Sequence, residues 1–134
     1  MKIIFSSFLI LLFPIKAQAS YFLCLSEESN KYYLQFNFPI ENSNIANIQY
    51  KDSLDKIQIK RVSEIVIPSK GERLSTVKSK WIEINKKNTD SYILITQGAT
   101  VDKFVHIILA KKEKVIYYDT PSAYAESGCD WSSI

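Results

Sequence analysis

Short apolar segments of two-residue period recur about every ten residues between Tyr21 and Tyr118, and this pattern decides the fold class. In Tyr32-Tyr33-Leu34-Gln35-Phe36-Asn37-Phe38, extended backbone puts Tyr32, Leu34, Phe36 and Phe38 on one face; Ile57 and Ile59 do the same within Lys56 to Lys60. Tyr21–Leu25, Ile45–Tyr50, Glu64–Ile67, Trp81–Asn85, Tyr92–Thr96, Phe104–Leu109 and Val115–Tyr118 repeat the theme, rich in β-branched and aromatic residues. Polar breaks such as Glu41-Asn42-Ser43-Asn44 and Lys86-Lys87-Asn88-Thr89-Asp90 separate them. No segment keeps an i, i+3, i+4, i+7 apolar stripe for three turns. The chain therefore reads as all-β: an antiparallel meander of eight or nine short strands, closed into a small barrel or folded as a two-sheet sandwich. Lys111-Lys112-Glu113-Lys114 marks a hairpin, and the longest excursion between strand-like runs is Pro68 to Lys80.

The ends of the chain place this domain outside the cytosol. Lys2, an apolar run from Ile3 to Phe13 and the small-x-small sequence Ala17-Gln18-Ala19 have the layout of a cleaved secretory signal. The run is shorter than the ~20 residues of a membrane span. Residues 1–19 are thus expected to be a signal peptide and residues 20–134 a single β domain, periplasmic or secreted, with no membrane anchor after cleavage. In an oxidising compartment the two cysteines, Cys24 and Cys129, are expected to pair. The bridge would close a loop of about 105 residues and clasp the two ends of the domain, worth roughly 4 to 5 kcal/mol on loop-closure entropy. A lipid-modified Cys24 is disfavoured because Tyr21-Phe22-Leu23, rather than small residues, precede it.

Charge and motif content narrow the function. Without Lys2 and Lys16 the 17 basic residues become 15, against 14 acidic ones, so the domain has no global field to attract nucleic acid. The single histidine, His106, lies mid-strand in Phe104-Val105-His106-Ile107-Ile108 and reads as a residue on a sheet face rather than a catalyst. There is no G-x-S-x-G, H-E-x-x-H, P-loop or dinucleotide fingerprint. Asp52 and Asp55 share one turn, but Lys51 and Lys56 flank them and oppose a cation. The expectation is a protein with no catalytic residues, no metal and no cofactor.

Two segments are candidate binding surfaces. Pro68 to Lys80 is the one locally basic excursion, and its Lys70, Arg73 and Lys78 suit an acidic cleft in a partner. Asp119 to Gly128 is rich in small residues and would be pre-organised by a bridge at Cys129, with Ser122, Tyr124 and Ser127 as contacts. Trp81, Tyr124 and Trp131 read as loop-proximal aromatics of the kind that anchor protein interfaces.

The Tyr21-x-x-Cys24 start, the all-β body and the late Cys129 together resemble the small periplasmic inhibitors of c-type lysozyme, over Tyr21 to Cys24 and Ser122 to Cys129. That resemblance implies a small β-barrel and a loop bearing Ser and Tyr directed at the lysozyme cleft, with Ser122, Tyr124 and Ser127 as the nearest counterparts. The favoured expectation is an exported, non-enzymatic inhibitor or immunity-type partner of a secreted or periplasmic enzyme or toxin. The alternative is a small-molecule or lipid-binding barrel that uses its interior.

Overall fold

The structure, a computed structural model, describes residues 21–38, 44–71, 74–84 and 90–133. Residues 1–19, the expected signal segment, and Arg73 lie outside the described residues. Eight strands form a closed antiparallel barrel in sequential order: β1 (Phe22–Glu27), β2 (Tyr33–Asn37), β3 (Ile45–Tyr50), β4 (Ile57–Ile67), β5 (Thr76–Glu83), β6 (Ser91–Gln97), β7 (Thr100–Ile108) and β8 (Glu113–Asp119). Closure comes from β1 pairing with β8, Leu25 opposite Asp119 and Glu27 opposite Tyr117. A two-stranded hairpin, β9 (Tyr124–Ala125) with β10 (Gly128–Cys129), follows the barrel and is flanked by 3₁₀ turns at Pro121–Ala123 and Trp131–Ser133.

The all-β reading holds, and closure resolves barrel against sandwich. An eight-stranded barrel has an interior about wide enough for side chains to fill it. Here Leu25, Leu34, Phe36, Ile48, Ile59 and Phe104 are fully buried. Phe36 is the hub, its ring edge-on to Phe38, Trp81 and Phe104 at 4.9, 5.4 and 5.5 Å. Phe38 in turn stacks on Tyr21 at 4.5 Å.

Three expectations require correction. Lys56–Lys60 and Glu64–Ile67, read as two segments, belong to the single eleven-residue strand β4. A bulge between Arg61 and Ser63 breaks the sequence period while the strand runs on. The excursion from Pro68 to Lys80 is shorter than expected because β5 begins at Thr76; Lys78 and Lys80 are exposed strand residues alternating with buried Ser79 and Trp81. Trp81 is 1% exposed, a core residue and not an interface anchor.

The Cys24–Cys129 disulfide is present, with the Cα atoms 5.6 Å apart. It lays the tail across the outer face of β1. Leu23, Cys24 and Leu25 are consequently buried in succession, Leu23 and Leu25 facing the core and Cys24 facing the tail. Cys129 N–H donates to Gln35 Oε1 at 2.9 Å, Thr120 N–H to the Cys24 carbonyl at 2.9 Å and Asp130 N–H to the Ala123 carbonyl at 2.7 Å. Tyr124 stacks on Phe22, and Trp131 packs on Tyr33 with ring centroids 5.1 Å apart. Gly128 has φ +154°, and a Cβ there would lie 3.1 Å from Gln35 Oε1, so the missing side chain makes room for this docking.

Candidate functional site

The strand order brings Glu27, Tyr33, Tyr50, Ile57, Glu83, Ser91, Ile108 and Glu113 to the same end of the barrel. This end opens into a cavity of about 630 Å³. Short turns set its rim. Glu27 Oε1 accepts from the backbone N–H groups of Ser29 and Lys31 at 3.1 Å, and also from the Ser29 hydroxyl. These bonds hold the Glu27 carboxyl below its ordinary range and fix the turn that presents Lys31. Across the mouth, Gln49 Nε2 donates to the Ser53 carbonyl at 2.9 Å and steadies the turn that carries Lys51 and Asp52.

The cavity wall is aromatic and polar at depth. Tyr50, His106 and Tyr117 line it, with Ile108 and Val115 as apolar surface; the exposed lining groups are Lys31, Lys51 and Lys111 together with Asp52 and Glu113. Burial is the main cause that raises the phenol pKa values of Tyr50, Tyr92 and Tyr117. At Tyr50 the nearby phenols of Tyr117 and Tyr92 partly offset that rise. All three therefore stay neutral at any physiological pH and serve as hydrogen-bonding groups rather than anions.

This layer includes an oriented imidazole. His106 Nε2 is 2.9 Å from Asp90 Oδ2, and Asp90 Oδ1 accepts from Leu109 N–H at 3.2 Å. The carboxylate, an acceptor, assigns the hydrogen to Nε2 and leaves Nδ1 directed at the Tyr50 hydroxyl, a long contact of 3.4 Å. Tyr92 stacks on the imidazole at 4.5 Å and donates its hydroxyl to Glu83 Oε2 at 2.7 Å. His106 is 9% exposed and on the inner face of β7, as expected of a sheet-face residue. The histidine does acquire polar partners that its strand sequence did not disclose.

Chemically the arrangement offers hydrogen-bonding groups and positive charge. Both imidazole nitrogens face partners, and the Ser53 hydroxyl accepts from Asp55 N–H at 3.1 Å, so Ser53 and His106 form no nucleophile–base pair here. That bond also shows Ser53, rather than either aspartate, making the side-chain contact of the Asp52–Asp55 turn. No group of three or more His, Cys, Asp or Glu able to hold a metal occurs among the described residues.

The residues nominated from sequence lie elsewhere. Ser122, Tyr124 and Ser127 share the clasped tail, and all three are exposed. The Tyr124 hydroxyl donates to Asp119 Oδ1, and partial burial, then this bond, raises its pKa. Lys70, in the turn after β4, and Lys78, on β5, belong to the β4–β5 hairpin. The hairpin and the tail are separate surfaces, and none of these residues lines the cavity. Sequence reasoning missed Tyr50, Glu83, Asp90, Tyr92 and Tyr117. The available signal was parity: Tyr50 follows Ile48, Glu83 follows Trp81 and His106 follows Phe104 on inward positions, so polar tips cap apolar strand faces at one end, whereas on β8, which starts at this end, Tyr117 lies one inward position deeper than Val115.

Searches against protein families, curated proteins and solved structures gave no match to this chain.

Proposed function

We propose that this is an exported binding protein without turnover, whose barrel mouth takes up a small organic molecule bearing an anionic group. The observation that carries this reading is the convergence of Tyr50, Tyr117 and His106 inside a cavity of about 630 Å³. Ligand sites commonly have such volumes, with apolar walls and a few oriented polar groups. Neutral phenols recognise a ligand by hydrogen bonding, and Lys31, Lys51 and Lys111 outnumber Asp52 and Glu113 at the entrance, which favours negative charge. The Asp90–His106 pair holds the wall in one arrangement, which lowers the entropy lost on binding. The buried disulfide and the signal-like residues 1–19 support export.

The experiment is native mass spectrometry of the protein purified under mild conditions from the compartment to which it is exported. A one-to-one small-molecule adduct on the wild type, weakened in Tyr117→Phe, is the expected result. Protein that carries no adduct and binds nothing in the mouth from a metabolite extract contradicts it.

A second reading, the inhibitor or immunity partner of a secreted or periplasmic enzyme or toxin, is favoured by a different region. The β4–β5 hairpin exposes Val62, Ile65, Val66, Ile67 and Leu74 beside Lys70 and Lys78. Clustered apolar side chains with a charged surround are characteristic of protein contact.

A further inference from the structure

Among the described residues, the second half of β4 is paired on one edge alone. β3 pairs with β4 only from Ile57 to Lys60, supplemented by Arg61 N–H to the Asn44 carbonyl at 2.8 Å. Past the bulge, Ser63 to Ile67 pair with Lys80 to Thr76 of β5 on one side, and no described residue pairs with the other. Strand edges are ordinarily blunted by charge, proline or covering chain. This one carries Ile65, Val66 and Ile67, exposed at 58, 56 and 42%, and its single charge, Glu64, is held by Arg61 at 3.2 Å.

We propose that the outer edge of β4, from Ser63 to Ile67, accepts an extended segment of a partner protein as an added strand, the segment being apolar at its centre and acidic at its flanks. This inference rests on the inhibitor or immunity reading and specifies its mode of contact. Backbone N–H and C=O groups supply the affinity in such strand addition, while alternate side chains set the choice of partner. The charge around the edge selects the occupant. Lys60, Lys70, Lys78 and Lys80 are exposed and form no ion pair among the described residues, whereas Arg61 is occupied by Glu64 and Asn44. A second copy of this chain would bring two lysine-rich hairpins together, so self-pairing is disfavoured and an acidic-flanked strand is matched.

The test is titration of the ¹⁵N-labelled, disulfide-intact domain with a synthetic peptide of alternating valine and threonine flanked by glutamates, beside the same peptide flanked by lysines. Amide shifts and exchange protection confined to Ser63–Ile67, at least about tenfold weaker with the lysine peptide, are expected. Ile65→Lys, at an exposed position, should keep the barrel spectrum and lose the peptide response. No response on β4, an equal response to both peptides, or self-association by sedimentation that Ile65→Lys abolishes overturns the proposal. The inhibitor reading itself is separately decided by whether the intact domain suppresses a periplasmic or secreted hydrolase or toxin. Inhibition that survives Ile65→Lys would retain that reading and remove this mode of contact.

Discussion

The two ends of the barrel solve opposite problems. At the mouth, strand tips carry polar atoms into a buried space, and nearly every one finds a partner: Glu83 with Tyr92, Asp90 with His106 and Leu109, Tyr50 with His106. No buried side-chain nitrogen or oxygen among the described residues lacks a hydrogen bond. At the other end, β4 and β5 run on past β3, leaving β-branched side chains exposed and an edge of β4 that no described residue pairs with. Burial with full polar pairing gives a fixed geometry suited to a small ligand. Open apolar edge gives adaptable contact suited to another chain. The same strand register produces both, because β4 and β5 are longer than the strand beside them.

The largest expected effect separates the clasp from both ends. Reduction of Cys24–Cys129, or Cys129→Ala, should cost about 4 to 5 kcal/mol on loop-closure grounds. Denaturant unfolding checks this, and release of the tail should be visible as loss of the Trp131–Tyr33 contact in near-ultraviolet circular dichroism. Titration with base sharpens the comparison next. The folded pKa values of Tyr50, Tyr92 and Tyr117 are raised above the ordinary 10.0, by burial first. Their stabilising contribution is therefore complete below pH 10 and is lost as pH climbs through the folded values. Absorbance at alkaline pH should show the mouth tyrosines ionising only as the domain unfolds.

Smaller effects compare single side chains. Tyr92→Phe removes the hydroxyl that Glu83 accepts within a buried site and should destabilise by about 1–3 kcal/mol. Ile65→Ser on the open edge should change stability by no more than about 0.5 kcal/mol, since that side chain is already in solvent. Equal losses for the two substitutions would erase the distinction between the ends.

The fold was largely legible because strand alternation records which face is buried. Leu34 and Phe36 are buried with Gln35 facing out, as their spacing implies. Alternation was obscured where a bulge shifted it at Val62 and where lysines occupied the outer face of β5. The Gln97–Thr100 turn shows a different limit. Gly98 has φ +63°, and a Cβ there would meet Leu74 Cδ1 at 2.3 Å, a contact from 24 residues away that no local pattern reports. The candidate site was less legible for the same reason. Tyr50, Asp90, His106 and Tyr117 come from different elements: hairpin pairing of neighbouring strands aligns the last three, and barrel closure brings Tyr50 of β3 to them. Lys70, Lys78, Ser122, Tyr124 and Ser127 drew notice as loop-like segments, whereas the cavity is built mainly from strand ends.

The central claim, that the mouth is a ligand site, is tested most directly by following the ring signals of His106 and Tyr117 by NMR while a set of small aromatic and aliphatic acids and matched neutral amides is added. The account predicts saturable shifts of both rings with at least one acid, weaker response to its amide, and loss of the response in Tyr117→Phe and Lys51→Glu. Rings that stay unmoved by every compound, or that respond to the amides as strongly as to the acids, would contradict it.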